Sequence, residues 1–195
     1  MAKKSWQAKI VEKKAGKRSS DGLGDLNPLP GLADLTHVDS KGRARMVNVS
    51  TKKITQREAI ASGTVRVKAE TLKKIEDNSL KKGDVLGVAK VSAIMAAKKT
   101  HDLIPLCHPL QITGVELSFS LAQKPPRVEI VAKVQATDRT GVEMEALTAV
   151  AVAALTIYDM CKAVDRGIQI TDLGLLKKSG GKSGVYLRER FSGKP

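Results

Sequence analysis

Apolar and polar residues alternate along several stretches of this chain with the two-residue period of a strand that is buried on one face. The first stretch covers residues 61–68. Residues 115–121 and 128–134 show the same period on either side of a turn with two prolines, which predicts a hairpin. Residues 168–176 predict a final strand, and residues 43–49 form a short strand-like piece near the start.

Two other stretches repeat their apolar residues at three- and four-residue steps, which predicts buried helices. Residues 85–97 are mostly small and apolar, with Lys90 as their only charge, and Asp84 can cap their first turn. Residues 146–158 are nearly uncharged in the same way. Residues 70–78 predict a short surface helix between the first strand and the first buried helix.

The predicted order is strand, helix, strand, strand, helix, strand, which is the split βαβ arrangement of ferredoxin-like domains. We therefore expect an α+β domain whose antiparallel sheet carries two buried helices on one face, with an extra N-terminal strand and a short helix. Residues 35–190 would form this single domain, after a mobile basic extension over residues 1–34 and before a flexible tail over residues 191–195. Such folds host many unrelated activities, so function must be argued from side chains.

The chain is strongly basic, since 34 Lys and Arg against 20 Asp and Glu give a formal net charge of +14. This charge favours an anionic partner. Single-stranded nucleic acid usually requires aromatic stacking platforms, and only five Trp, Tyr and Phe residues are present among 195. Small phosphates are therefore favoured, and nucleic acid is not. A sheet that holds RNA is the alternative, and a salt-sensitive affinity for RNA would support it.

Cysteine usage and hydropathy suggest the compartment. Cys107 and Cys161 form no CxxC motif, which argues against a disulfide scaffold and fits a reducing environment. No apolar run is expected to be long enough to span a bilayer, and the N-terminus lacks the apolar core of a secretory signal. We predict a cytoplasmic protein with no membrane partner. The alternative is the mitochondrial matrix, with the Lys-rich extension as a targeting peptide.

Residues 138–165 place ionisable groups at both ends of the second buried helix. Glu143 and Glu145 lie two residues apart and would share one side while the backbone stays extended. Asp159 and Lys162 lie three residues apart, which makes them neighbours on a helix. Charges confined to the ends of an apolar helix suggest a cleft there. The alternatives are acids that simply favour a helix N-terminus and an ordinary ion pair at its other end.

Three further segments carry candidate chemistry. His108 lies on a loop restrained by prolines and is a natural proton carrier, although a lone histidine is more often structural. Cys107 precedes it directly, but the pair lacks the further ligands that zinc needs, so no metal site is predicted. Lys82 precedes the N-terminus of a capped helix, where free amides and the helix dipole favour binding of a phosphate, although an ordinary solvated lysine is commoner. Residues 177–184, KKSGGKSG, match a phosphate loop only in part, and a solvated tail is the equal alternative. Together with the helix-end acids, these groups describe a site that moves protons on a phosphorylated substrate.

Six segments resemble the cyclic pyranopterin monophosphate synthase family of molybdenum cofactor biosynthesis. They are LTHVD at 35–39, KGDVLGVAK at 82–90, LIPLCHPL at 103–110, TGVEMEALTAV at 140–150, ALTIYDMCKAV at 154–164 and KSGGKSG at 178–184. The resemblance extends over residues 35–186. It implies a lyase that rearranges 3',8-cyclo-7,8-dihydroguanosine 5'-triphosphate into cyclic pyranopterin monophosphate and releases diphosphate.

The resemblance also implies roles for individual residues. Asp159 and Lys162 would be the central acid–base pair, and Lys82 a further catalytic or phosphate-holding base. The residues that would form or line the substrate pocket are Leu106, Cys107, His108, Met144, Glu145, Glu143, Arg57 and Lys178. Asn48 departs from the family, which usually has an aspartate in this strand. Asparagine keeps the shape of aspartate but cannot ionise, so its effect on turnover is an open question.

The same resemblance bears on cofactors and partners. No redox cofactor is implied and none is required, while a divalent cation accompanying the triphosphate is left open. The family forms a hexamer, a trimer of dimers with sites at subunit interfaces, so we expect a homo-oligomer acting on a small nucleotide-derived substrate. A third alternative is a catalytically silent regulatory domain that only binds a nucleotide; it predicts that site variants lose affinity while no product is ever formed.

Overall fold

A computed structural model of the chain describes residues 43–189. The elements are β1 (Thr55–Arg66), α1 (Ala69–Glu76), α2 (Val85–Lys98), α3 (Thr100–Leu103), β2 (Ile112–Gln123), β3 (Pro126–Asp138), α4 (Glu143–Cys161), β4 (Gln169–Ser179) and β5 (Tyr186–Leu187). All of them belong to one compact unit. The extension predicted over residues 1–34 and the tail predicted over residues 191–195 lie outside the described residues.

The five strands form one antiparallel sheet in the order β2-β3-β1-β4-β5. Helices α2 and α4 lie side by side and pack on this sheet, α4 over β1, β3 and β4, and α2 over β2. The predicted α+β ferredoxin-like class is therefore confirmed, as are the hairpin, the short helix α1 and both buried helices. Asp84 caps α2 as predicted, because its Oδ1 accepts a hydrogen bond from the Gly87 amide at 2.8 Å.

The central strand β1 shows how the alternating pattern selects the core face. Ala59, Ala61, Gly63 and Val65 are buried, while the residues between them stay at least partly exposed. These side chains are small, so α4 approaches the strand closely. A Cβ atom added to Gly63 would lie only 2.7 Å from Cγ1 of Val150 on α4. The sequence pattern thus fixes both the face of β1 that is buried and the depth at which α4 sits.

The two acids at the start of α4 do not share one side, and that prediction is wrong. The helix already begins at Glu143 rather than at Ala146. Residues two apart on an α-helix differ in direction by about 200°. Glu145 is consequently buried, with 3 % of its surface exposed, whereas the Glu143 side chain is 28 % exposed. Both acids occupy the first helical turn, where the helix dipole favours negative charge.

The predicted extra N-terminal strand is also wrong over residues 45–49, since residues 45–54 form neither helix nor strand. The Asn48 Oδ1 accepts a hydrogen bond from the Ser50 amide at 2.9 Å, and the Lys52 amide donates to the Val49 carbonyl at 3.0 Å. Short polar side chains that bind nearby backbone groups compete with strand pairing. An aspartate could accept the same hydrogen bond, so this structural role needs no asparagine.

Among the described residues, α4 is the one helix long and apolar enough to cross a membrane by length and composition. The prediction that no apolar run reaches this length is therefore wrong. Half of the apolar stretch is buried inside the domain, where α4 packs against α2 and three strands. A helix that is apolar on most of its circumference is also what the core of a globular domain requires. Packing thus accounts for its composition.

Gly63→Ala should lower the free energy of unfolding by about 1–3 kcal/mol, because the added methyl group would overlap Val150 in a well-packed core. Thermal or urea unfolding at fixed protein concentration measures the change. Adding Val150→Ala to Gly63→Ala should recover part of the loss, since the opposing methyl groups are removed. A double variant whose loss equals the sum of the two single losses would contradict the close contact.

Candidate active site

Three of the predicted site residues meet at the C-terminal end of α4, and we call them the lysine–aspartate cluster: Lys82, Asp159 and Lys162. Lys82 comes from the connection between α1 and α2, and its Nζ lies 2.7 Å from Oδ2 of Asp159. The Nζ of Lys162 lies 2.7 Å from Oδ1 of the same carboxylate. Lys82 also donates to the Asp159 carbonyl oxygen at 2.9 Å. One carboxylate therefore orients two ammonium groups.

The electrostatics of this cluster favour a role outside folding. Hydrogen bonds from Lys162 and Lys82 lower the pKa of Asp159 to about 2, so the carboxylate is ionised at neutral pH. The same pairing raises the pKa of Lys162. About half of each side chain is exposed, and exposed ion pairs add little stability. Two ammonium groups and one carboxylate leave a net positive charge that faces solvent, ready to meet an anionic ligand.

A second set of predicted residues lines a cavity of about 990 Å³ at the N-terminal end of α4: Arg57, Glu143 and Lys178. The Nζ of Lys178 lies 3.1 Å from Oε1 of Glu143. Arg57 donates from Nε to the Asp138 carbonyl at 3.2 Å and from Nη2 to the Arg139 carbonyl at 2.9 Å. The guanidinium group is thereby held between the ends of β1 and β3 before any ligand binds.

The lining of this cavity is mainly basic. Its basic residues are Lys52, Lys53, Arg57, Arg139, Lys178 and Lys182, and its acidic residues are Glu58 and Glu143. Its volume lies at the upper end of the range of small-molecule sites, roughly 300–1,000 Å³. The excess of cations suits a polyphosphate. Sequence reasoning missed Lys52, Lys53 and Arg139, because nothing distinguishes them among the 34 basic residues of the chain.

Two glycines form part of the cavity wall. Gly180 and Gly181 have φ angles of 98° and 73°, which L side chains rarely adopt. A Cβ atom on Gly180 would collide with the Gln56 carbonyl oxygen, and one on Gly181 with the Arg57 guanidinium. The segment is neither a P-loop, since no helix follows it, nor a free tail. It ends β4, turns, and returns as β5, which pairs with β4.

The next predicted residues, Leu106, Cys107 and His108, lie on the loop between α3 and β2, and Cys107 is close to Glu145 in the first turn of α4. Burial raises the pKa of the Cys107 thiol, and the nearby Glu145 carboxylate raises it further. The Nε2 of His108 lies 2.8 Å from the Val47 carbonyl oxygen. A carbonyl can only accept, so Nε2 carries a proton and Nδ1 of the neutral ring is left as an acceptor. Leu106 is partly buried on the same loop.

Glu145 has the environment of an acid–base group. Burial raises the pKa of Glu145 to about 7, and the charge of Glu143 adds to this effect although the Glu145 backbone amide opposes it. The carboxyl group therefore exists in both protonation states near neutral pH, which is the condition for efficient proton transfer in both directions. Met144, its partly buried neighbour, completes the predicted pocket residues on this turn.

The two ends of α4 are far apart within one chain. Glu143 and Asp159 are separated by about 24 Å along the helix axis, at about 1.5 Å per residue. One chain therefore brings together Lys82, Asp159 and Lys162, while His108 follows Cys107, which interacts with Glu145 at the opposite end of α4. Among residues 43–189 there is no group of three or more His, Cys, Asp and Glu side chains that could hold a metal ion.

The fold and these two sites define a basic α+β domain with a cavity of small-molecule size and a separate lysine–aspartate cluster. A model of the MoaC family matches residues 46–181. A relative named cyclic pyranopterin monophosphate synthase from Thermoanaerobacter sp. (strain X514) is 58% identical over 156 residues, which cover 80% of this chain and 99% of the relative. Relatives with the same name from Heliobacterium modesticaldum and Natranaerobius thermophilus are 58% and 52% identical, each over 80% of this chain and 98% of the relative. The chain therefore belongs to the MoaC family.

Glu145→Gln should stabilise the fold more at high pH than at low pH. The pKa of Glu145 is higher in the folded chain than its ordinary value of 4.5, so the folded wild type loses stability as the pH rises from about 4.5 through 7. Glutamine mimics the neutral acid and removes this loss. The gain in unfolding free energy at pH 8.5 should exceed that at pH 5 by about 1–3 kcal/mol. Equal gains in urea unfolding at both pH values would contradict the burial of an ionisable Glu145.

Proposed function

We propose that this protein is a cyclic pyranopterin monophosphate synthase, a cytoplasmic lyase of molybdenum cofactor biosynthesis. Its substrate would be 3',8-cyclo-7,8-dihydroguanosine 5'-triphosphate, and diphosphate would leave. The observation that carries the proposal is the exposed lysine–aspartate cluster, in which Asp159 lies 2.7 Å from both lysines, on a chain 58% identical to relatives of that name. An exposed triad of this kind contributes little to folding and is suited to chemistry.

The reaction needs proton transfers, because the five-membered ring of the purine must open and a pyrazine ring must close. Each well-placed acid or base contributes about 100- to 10,000-fold to such a step. Lys162 is protonated and oriented by Asp159, so it can donate a proton or stabilise a developing anion. Glu145, with a pKa of about 7, can both accept and donate. The Nδ1 of His108 supplies a further acceptor.

Formation of the cyclic phosphate releases diphosphate, whose growing negative charge must be stabilised. We assign the triphosphate to the basic cavity. Arg57 is already oriented there by two carbonyl groups, and Lys178 is held by Glu143, so little reorganisation is needed when the anion binds. This scheme requires no redox cofactor. A divalent cation carried by the triphosphate is compatible with it.

The proposed reaction requires more than one copy of the chain. Proton transfer needs donor and acceptor within about 2.6–3.2 Å or one water molecule, whereas the cluster and the cavity of one chain lie about 24 Å apart. The cluster of one subunit must therefore face the cavity of another. Exposed apolar side chains offer a contact surface: Val88, Val91 and Met95 follow one side of α2, and Leu155 lies on α4. We propose a homohexamer, a trimer of dimers with sites at the interfaces.

RNA binding is less well supported than this activity. The strands of the described sheet contain two aromatic residues, Phe119 on β2 and Tyr186 on the edge strand β5. The ring of Phe119 packs against the hydrophobic core rather than standing free on the sheet. A stacking platform for bases would require exposed rings on the central strands.

Lys162→Ala and Asp159→Asn should each lower turnover about 100- to 10,000-fold while thermal stability changes little. The assay is incubation with the cyclised dihydroguanosine triphosphate, followed by detection of the pterin product and of diphosphate. Lys73→Ala, which removes an exposed lysine from α1, is the matched control and should retain wild-type turnover. The proposal fails if wild-type protein forms no product or if Lys162→Ala keeps full turnover.

A further inference from the structure

Asp165 is a buried carboxylate to which the proposed chemistry gives no part. It is 1 % exposed and lies three residues beyond Lys162, in the turn that follows α4, where its amide donates to the Cys161 carbonyl at 3.0 Å. A charge is costly to bury unless it is fully hydrogen-bonded. The partners of Asp165 therefore indicate what it holds in place.

These partners come from two separate segments. The Oδ2 of Asp165 accepts from the Lys68 amide at 2.8 Å and from the Thr71 hydroxyl at 3.2 Å, both at the start of α1. Its Oδ1 accepts from the Gly167 amide at 3.0 Å. Lys68 is the N-cap of α1 and makes no side-chain cap of its own. Asp165 thus supplies the acceptor that the N-cap residue of α1 does not, and it adds a buried negative charge to that of Glu70 in the first turn.

The ionisation of Asp165 agrees with this geometry. Burial by itself would raise the pKa of Asp165, yet the hydrogen bonds from Lys68, Gly167 and Thr71 hold it below its usual value. The carboxylate is therefore charged at neutral pH and binds all three donors. The buried Cys161 interacts with both Asp165 and the cluster. Burial and the charge of Asp165 raise the pKa of its thiol to about 11, while the charge of Lys82 opposes this rise.

One of the two segments that Asp165 joins carries part of the lysine–aspartate cluster, and the other, α1, leads into the connection that carries Lys82. Asp159 and Lys162 lie at the end of α4. Lys82 follows α1, on the connection to α2, and can reach the Asp159 carboxylate only when that connection is held beside the end of α4. α1 is anchored by buried Leu72 and Ile75 along its length, while Asp165 secures its first residues to the α4 turn.

We infer that Asp165 is a positioning residue that joins the start of α1 to the turn after α4, so that Lys82 and Lys162 converge on Asp159. The role in turnover rests on the proposed function, whereas the effect on the geometry of the cluster does not. Because the hydrogen bonds of Asp165 cross between segments 97 positions apart in sequence, they restrain the cluster without touching a substrate.

Asp165→Asn is the test variant. Asparagine keeps one acceptor oxygen, but its NH2 group replaces the other oxygen and would face an N–H or O–H group that now donates to Asp165. The first readout needs no substrate: the pKa of Asp159, followed by carbon NMR of its carboxylate. It should rise from about 2 towards the ordinary value of 3.8 as Lys82 moves away. Asp77→Asn, an exposed aspartate at the other end of α1, is the matched control and should leave that pKa unchanged.

The second readout is turnover. Asp165→Asn should lower kcat about 10- to 100-fold with little change in KM, as expected when a catalytic group is displaced by a fraction of an ångström to an ångström. In a Lys82→Ala background it should cause little further loss, because the two changes act through the same group. Thr71→Val removes one of the three donors and leaves the carboxylate paired with the other two. It should raise the pKa of Asp159 by less than Asp165→Asn does. It is the test variant if Asp165→Asn does not fold.

An unchanged Asp159 pKa in the folded variant would overturn the inference, whatever the activity. A loss of kcat that adds in full to the loss caused by Lys82→Ala would also overturn it, because general destabilisation adds and displacement of Lys82 does not. If wild-type protein forms no product, the proposed function fails, while the Asp159 pKa still decides whether Asp165 holds the cluster.

Discussion

The close packing of α4 on β1 is the constraint on which the rest of this structure depends. Gly63 and the alanines of both elements leave no room for side chains between helix and strand, so α4 is buried and uncharged along its middle. Charged side chains are costly to bury along the middle of such a helix. They therefore collect at its two ends, where Glu143 and Asp159 lie about 24 Å apart at about 1.5 Å per residue. Within one chain, the lysine–aspartate cluster and the basic cavity are therefore separated by that distance.

The two ends hold carboxyl groups in opposite environments. Asp159 is exposed between two lysines, which lower its pKa to about 2, whereas burial raises the pKa of Glu145 to about 7. Groups of one kind whose pKa values are driven apart can take different acid–base roles at one pH. At neutral pH Asp159 is an anion that orients two ammonium groups, whereas Glu145 is present in both protonation states. The basic cavity beside Glu143 carries the charge to which we assign the triphosphate.

Much of this arrangement follows from the sequence, because burial on one face imposes a period on strands and helices alike. The three-residue spacing of Asp159 and Lys162 also predicted their contact correctly. The start of α4 was missed because the apolar repeat begins only after its polar first turn, which contains Glu143. The contact of Lys82 with Asp159 joins residues 77 positions apart, so no local spacing reveals it, and it was expected only from the family resemblance. The cavity wall at residues 180–181 likewise depends on a close approach of β1 that pattern alone does not show.

The central claim is that the lysine–aspartate cluster of one subunit completes the cavity of another. Mixing two variants that each lose turnover, Lys162→Ala and Lys178→Ala, under conditions that allow subunit exchange tests it most directly. In a mixed dimer one interface would combine the intact cluster with the intact cavity, and random pairing of equal amounts should restore about a quarter of wild-type turnover. A mixture no more active than the average of the two separate variants, despite demonstrated exchange, would contradict the claim.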